Sequence, residues 1–489
     1  MDSISFYKYL NLMKFDFCLL IFAISTMLQN VVTTQLMEDK LCLNQLKLGD
    51  SFCSTFASHP NTTETQKILQ GANSFKNWQF VIVNAPALLF SIFIGYWLGN
   101  YPRYFKLMLT APMIGSLCLL SGLLVNTFIF EAHWWFMLLA HIPYALSGGV
   151  FLIFSAVYSS IPWGTPIHLV IVRFAVIEFF VKISMMSSSY ASGKLLDMNP
   201  WFHGQRKNYA GVFIVSLVLN FLALLLALLM KTSFPIPKEP EKDSKNLFQV
   251  VNDVFRLSRV NELAAIFVKK RPNHKRSQLA LLISSVAICT AALNNEDSIA
   301  YQFAQRVYGL TEEAYTSMLT LVYIPPTIVT SLGPAILKSF FGLYDSSIAI
   351  IGSTSLALFF VIRGVFLSIK GYITGYVVGS FARVSSVALR SVIVATVEPA
   401  ECAQIFTLTT ALETFVGLGA TFLYTSVFSF TIDKQPGIIM ILIGCISSYP
   451  LFVSCWVRVV QYKFRRMKKG SIDNEKNRLI FLNETSNEG

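Results

Sequence analysis

The sequence predicts an all-α membrane protein of twelve transmembrane helices in two six-helix halves. Three observations predict it. First, 54% of the 489 residues are hydrophobic and only 13% are charged, against roughly 45–50% and about 25% in soluble domains. The mean hydropathy is +0.55, so too little polar surface remains to face water, and lipid is the solvent. Second, apolar runs recur at the length of about 20 residues that a helix needs to cross a hydrocarbon core ~30 Å thick. They are continuous rather than alternating, which favours helices over a closed barrel, the other structure that satisfies its backbone in lipid. Third, one long polar and charged gap divides these runs six and six.

The first span is read at roughly 17–36. Lys8 and Lys14 precede it, and Thr33-Thr34-Gln35 continues it without a small-x-small cleavage site, so it is an uncleaved helix rather than a signal peptide. The next five are placed at 79–98, 107–130, 134–160, 169–192 and 211–230, and the second six at 278–294, 315–337, 346–368, 371–395, 403–428 and 437–459. The domain organisation is therefore an N-terminal half (1–230), a linker (231–276), a C-terminal half (277–460) and a tail (461–489). The linker opens with Pro235, Pro237 and Pro240 and continues into an amphipathic stretch near Leu247–Val268.

The cations fix the orientation. The linker carries Lys238, Lys242, Lys245, Arg256, Arg259, Lys269, Lys270, Arg271, Lys275 and Arg276, and the tail Arg458, Lys463, Arg465, Arg466, Lys468 and Lys469. Positive residues concentrate on the cytosolic side, so both termini are cytosolic and the loop 37–77 is external or luminal. That loop holds the sequon Asn61-Thr62-Thr63, a glycan acceptor on that side. The sequon at Asn483 lies in the tail and is expected to stay bare. The net charge of +12 reflects this bilayer pattern and not nucleic-acid binding. Six helices, a charged cytosolic linker and six helices is the architecture of major-facilitator transporters, which bind solute near the midplane.

No nucleotide-binding motif, HExxH, CxxC or GxSxG elbow occurs, so neither an enzyme nor a cofactor or metal site is expected. Most of the eight cysteines fall inside apolar runs, where a thiol is a small hydrophobe. Cys42 and Cys53 lie in the external loop, either as a disulfide or as two free thiols.

Charges inside the spans carry the functional information, because each costs at least ~2.5–3.5 kcal/mol to insert and usually faces a pathway or a partner. The fifth span holds Arg173, Glu178 and Lys182. Glu178 is the candidate proton carrier. Lys182 is one turn away on the same face, so a static Glu178–Lys182 pair is the competing reading. The tenth span holds Arg383 and Arg390, which together with Arg173 are candidates for binding an anionic solute because the guanidinium fork binds carboxylate bidentately. Arg390 is otherwise a snorkelling residue near the cytosolic end, and Arg383 a partner of Glu413. Glu413 sits among Thr409, Thr410 and Thr414 in the eleventh span, as a polar wall or a satisfied network. Arg363, in the ninth span, has no role assigned from sequence.

Several ordered strings resemble solute carrier family 46, the group of the proton-coupled folate transporter and its lysosomal relatives. They are Leu28-Gln29 with Thr33-Thr34-Gln35 and Cys42; Trp78, Gly95 and Trp97; Gly148-Gly149 with Arg173 and Glu178; and Arg390 with Phe406 and Glu413. The resemblance spans nearly the whole chain. It implies proton-coupled movement of a small organic anion, with Glu178 in proton coupling and Arg390 in proton and substrate binding. The chain departs from the superfamily's loop after the second helix, where Gly99 and Tyr104 replace an acid and an arginine, and Ala291-Ala292 stands where the folate transporter has a histidine. A divergent member with another substrate is expected. A receptor or scaffold on a decayed transporter fold is the alternative. In the tail, Glu475, Leu479 and Ile480 fit the acidic dileucine pattern that clathrin adaptors read, which points to endosomes and lysosomes, with the plasma membrane as the other location.

Overall fold

The computed structural model describes residues 14–55, 63–230, 246–256, 275–310, 312–398, 401–431 and 435–463. Among these residues the regular elements are all helices. They group into two compact units, residues 1–266 with 397–415 and residues 267–396 with 416–489.

The first unit begins with α1 (Lys14–Lys40), which tightens into a π-helical turn at Leu41–Gln45, and α2 (Asp50–Thr55). Then come α3 (Thr63–Asn100), α4 (Phe105–Phe128), the short α5 (Trp135–Ala140) and α6 (Ile142–Leu146), α7 (Gly149–Gly164), α8 (Val170–Asp197) and α9 (Tyr209–Leu229). α1 packs against α8 and α9, and α9 against α4. Small residues make these approaches close. Ser188 and Ser184 donate to Ile24 O and Leu20 O at 3.0 and 3.4 Å, and Ser25 donates to Ser216 O at 2.8 Å. Such interhelical bonds replace the hydrophobic drive that lipid removes.

Much of the predicted external loop is helical. α1 runs on to Lys40, and α3 starts at Thr63, well before the predicted 79. Between Thr63 and Pro86 nothing breaks the backbone ladder, Glu64 complements the first turn, and Ile68 and Phe75 are fully buried. Cys42 and Cys53 form a disulfide with a Cα–Cα distance of 5.9 Å. Beside it, Lys40 donates to the carbonyls of Ile129 and Ala132 at 3.0 and 3.2 Å, just beyond the C-terminus of α4, where a cation meets the negative end of the helix dipole. The predicted span 134–160 is broken into α5, α6 and α7. Gly148 adopts φ +91° at the second break, a conformation that glycine alone enters freely.

Of the predicted amphipathic linker helix, α10 (Leu247–Val254) falls within the described residues and ends at Phe255. Asp253 accepts a hydrogen bond from Tyr101, in the loop after α3, and the Phe255 ring lies 5.1 and 6.1 Å from those of Phe93 and Phe90. The proline-rich start of the linker lies outside the described residues, as does most of the tail.

The second unit contains α11 (Lys275–Asn295), α12 (Asp297–Tyr308), α13 (Glu312–Val322), α14 (Ile324–Ser339), α15 (Asp345–Val365), α16 (Ile369–Val378) and α17 (Ala382–Thr396). α18 (Cys402–Thr431) begins in the first unit and ends in the second, followed by α19 (Ile438–Ser447). The early part of α18 belongs with the first unit because Phe406 packs on Phe174 and Tyr158, with centroids 5.6 and 6.2 Å apart. In the second unit α15 packs on α17 and α19, and Ser385 bridges to Ser353 and Cys289 at 2.7 and 3.3 Å.

By length and composition, ten helical stretches among the described residues are long and apolar enough to cross a membrane. The two other predicted spans correspond to α3 and α8. α8 is less apolar because it holds Arg173, Glu178, Lys182 and a serine run, the residues that mark it as a functional candidate.

Candidate functional site

Each unit contains a buried charge centre. In the first unit Arg173 of α8 is 7% exposed and meets Asp16 of α1, which is fully buried. Nε lies 3.3 Å from Oδ2 and Nη2 3.4 Å from Oδ1, and Nη1 donates to Thr165 Oγ1 at 2.8 Å. The fork is thus occupied by a carboxylate and a hydroxyl of its own unit. Sequence reasoning passed over Asp16 because it stands one residue before the predicted first span, where an acid reads as solvated. Glu178 lies on the next turns of α8 and is half-buried. Lys182 is buried and donates to Met185 Sδ at 3.7 Å.

The second unit holds the more elaborate centre. Arg363, near the end of α15, has no exposed surface, and its Nη1 lies 2.5 Å from Oε1 of Glu296. The guanidinium carbon is 4.7, 4.9 and 5.1 Å from the ring centroids of Phe359, Tyr372 and Tyr376, a desolvated cation–π arrangement worth up to ~2 kcal/mol or more per face. Tyr308 packs edge-on to Tyr372 and Tyr323 to Tyr376, with centroids 5.4 and 5.6 Å apart. Burial lifts the Tyr308 hydroxyl to about 12, so that ring stays neutral beside the cation. The site needs a glycine at 375, because a Cβ there would lie 2.5 Å from Arg363 Cγ.

Three helix breaks meet at this centre. Glu296 is the single residue between α11 and α12, Tyr323 the one between α13 and α14, and a 3-10 turn at Gly379–Phe381 separates α16 from α17. A small cavity of about 30 Å³ opens there, with Glu296, Tyr323, Phe359, Tyr376, Gly379 and Arg383 among its walls. Pro325-Pro326 explain the second break, since proline has no N–H for the ladder. At the first break the Asn295 side chain leaves its own helix and donates to Gly417 O at 3.0 Å. Interrupted membrane helices are tolerated where the freed backbone groups line a cavity or are buried in protein.

The predicted substrate residues divide between these settings. Arg383 is half-buried on the cavity wall and directs Nη1 and Nη2 to Asn294 Oδ1, both at 3.4 Å. Arg390, 2% exposed, donates to Ser386 Oγ one turn back at 3.3 Å. Glu413 is half-buried on α18. The hydroxyls around it turn to their own helix, Thr409 to Ile405 O at 2.7 Å, Thr410 to Phe406 O at 2.9 Å and Thr414 to Thr410 O at 3.0 Å. Asn61 and the residues Glu475, Leu479 and Ile480 lie outside the described residues.

No protein-family model and no curated protein matches the chain. Solved structures do. The human organic anion transporter MFSD10 (TETRAN) superposes with a TM-score of 0.64 at 11% identity, covering 91% of this chain and 99% of its own. The E. coli fucose:proton symporter FucP gives 0.60 at 10% identity, covering 92% and 98%. The proton:xylose symporter XylE gives 0.57 at 11% identity, covering 88% and 94%. The fold is that of the major-facilitator transporters. With ten stretches among the described residues long and apolar enough to cross a membrane, the chain is a multi-pass membrane protein.

Proposed function

We propose that this chain is a secondary active transporter that moves a small organic anion by alternating access and couples that movement to protons. The observation that carries the reading is the charge buried at broken helices: Glu296 and Arg383 on the wall of one cavity and Arg363 paired to Glu296, with Arg390 and Glu178 buried or half-buried elsewhere. A scaffold gains nothing from charges that cost several kcal/mol each to place in a membrane protein. Arg383 and Arg390 supply the forks for an anionic group, Glu413 contributes to solute binding, and Glu178 carries a proton. Structures of the same fold include a transporter of organic anions and two proton-coupled sugar symporters, which supports both halves of the reading.

The ordered strings around Arg173, Glu178 and Arg390 support placing the chain as a divergent member of solute carrier family 46. We further propose the chain divisions 1–230, 231–276, 277–460 and 461–489, cytosolic termini, a glycan on Asn61, and residence in endosomal or lysosomal membranes through adaptor binding at Glu475, Leu479 and Ile480. The test is uptake of labelled organic anions by cells in which Leu479→Ala and Ile480→Ala hold the protein at the surface. Uptake that rises at acid pH is expected. Absence of uptake across organic anions, with surface expression confirmed, overturns the transporter reading in favour of a decayed scaffold.

A further inference from the structure

We infer that Glu296 is a proton-binding site of the second unit, and that the aromatic cage around Arg363 exists to hold the guanidinium while Glu296 is neutral. The inference deepens the transporter reading and rests on it only where uptake is concerned.

A permanent buried ion pair has no need of a cage. Two opposite charges 2.5 Å apart already compensate each other, and extra aromatic faces add little to a guanidinium whose carboxylate never leaves it. The cage is nevertheless present on three sides, from Phe359, Tyr372 and Tyr376. Among the described residues Arg363 Nε and Nη2 have no hydrogen-bond partner, and the ring faces surround them. Removing the negative charge from a buried pair ordinarily leaves a cation costing about 3–5 kcal/mol. Three desolvated cation–π contacts of up to ~2 kcal/mol each offset a loss of that size. Both protonation states of Glu296 are therefore accommodated, which is the requirement for a group that binds and releases a proton in place.

The cavity sets what reaches it. At about 30 Å³ it has room for one or two waters beside Glu296 and is too small for an organic solute. The position also suits a moving part: Glu296 sits between two helices and accepts from the N–H groups of Ile299 and Ala300 through its carbonyl at 2.9 and 3.0 Å. The charged and titratable groups facing the carboxylate are Arg363 on α15, Arg383 on α17, Tyr323 at the α13–α14 break, Tyr372 and Tyr376 on α16, Tyr308 at the end of α12 and Tyr424 on α18. Among the described residues lining this cavity, Glu296 is the carboxylic acid.

The test is infrared difference spectroscopy of the full chain in lipid nanodiscs, acid minus neutral. A protonated-carboxyl component is expected in the wild type that disappears in Glu296→Gln and persists in Glu178→Gln, which loses a separate component of its own. Because Glu296→Gln could impair folding, Glu296→Asp is measured beside it, and its band is expected at a shifted frequency. A band unchanged in both Glu296 variants overturns the inference whatever the uptake result. In cells, Glu296→Gln is expected to bring the ratio of acid to neutral uptake to unity. If the wild type takes up no organic anion yet the Glu296 band is present, the transport reading fails and the proton site stands.

Discussion

Arg173 offers the sharpest separation between a solute-binding arginine and a structural one. Its fork is filled by Asp16 at 3.3 and 3.4 Å and by Thr165 at 2.8 Å, with 7% and 0% exposure for the two charged partners. Asp16→Asn strands a buried guanidinium and Arg173→Gln strands a buried carboxylate. Breaking such a pair costs about 3–5 kcal/mol, because the penalty is the uncompensated charge and not the lost attraction. Each single variant is therefore expected to lower the melting temperature in detergent by on the order of 5–10 °C. The double variant removes both charges, so it should fall less than the two singles added, with a coupling of about 1–3 kcal/mol from the cycle. In uptake assays the surviving protein should show a KM for the organic anion unchanged from wild type. Arg173→Gln with normal melting and a KM raised about tenfold would refute the argument and return Arg173 to the solute site.

Other expectations follow from the same physics. Gly375→Ala places a methyl 2.5 Å from Arg363 Cγ and 3.0 Å from its Cδ; overpacking of this kind costs about 1–3 kcal/mol, visible as a lower melting temperature with transport reduced through Arg363. Replacing Cys42 and Cys53 by serine opens the loop closed across 11 residues, and should cost about 2–3 kcal/mol, matched by reductant treatment of the wild type. Glu178→Gln should flatten the pH dependence of uptake; a normal profile would remove Glu178 from proton coupling. Enzymatic deglycosylation should shift the gel mobility of the wild type and leave Asn61→Gln unmoved, whereas a shift that depends on Asn483 would invert the topology.

The architecture was legible because it depends on sums over long windows. Composition and run length identify a lipid-facing helical chain whatever its relatives, and the superposition on MFSD10, FucP and XylE at 10–11% identity shows how little of the fold needs particular residues. Breaks follow local chemistry: Pro325-Pro326 and Gly148-Gly149 each stand at the interruption of a predicted span. The extent of α3 was not, because a helix of polar residues outside the bilayer has no hydropathy signature and is held by the burial of Ile68 and Phe75.

The charge centres show a more specific blind spot. Arg173 and Arg363 were visible as cations inside apolar runs, yet both of their acids were missed. Asp16 lies one residue before the predicted span 17–36, and Glu296 two residues after 278–294. Hydropathy ends a span at its first acid, so an acid that terminates the run is assigned to water by the rule that found the span. A membrane helix that continues past its acid can do so because a distant cation neutralises it, and that cation lies on another helix. A buried cation whose partner is not found on its own helix is thus an instruction to search the ends of other spans for it. Glu296 answers it for Arg363, in a setting where the partner can also be lost: three ring faces hold the guanidinium when the carboxylate is neutral, and a cavity of about 30 Å³ lies beside the carboxylate.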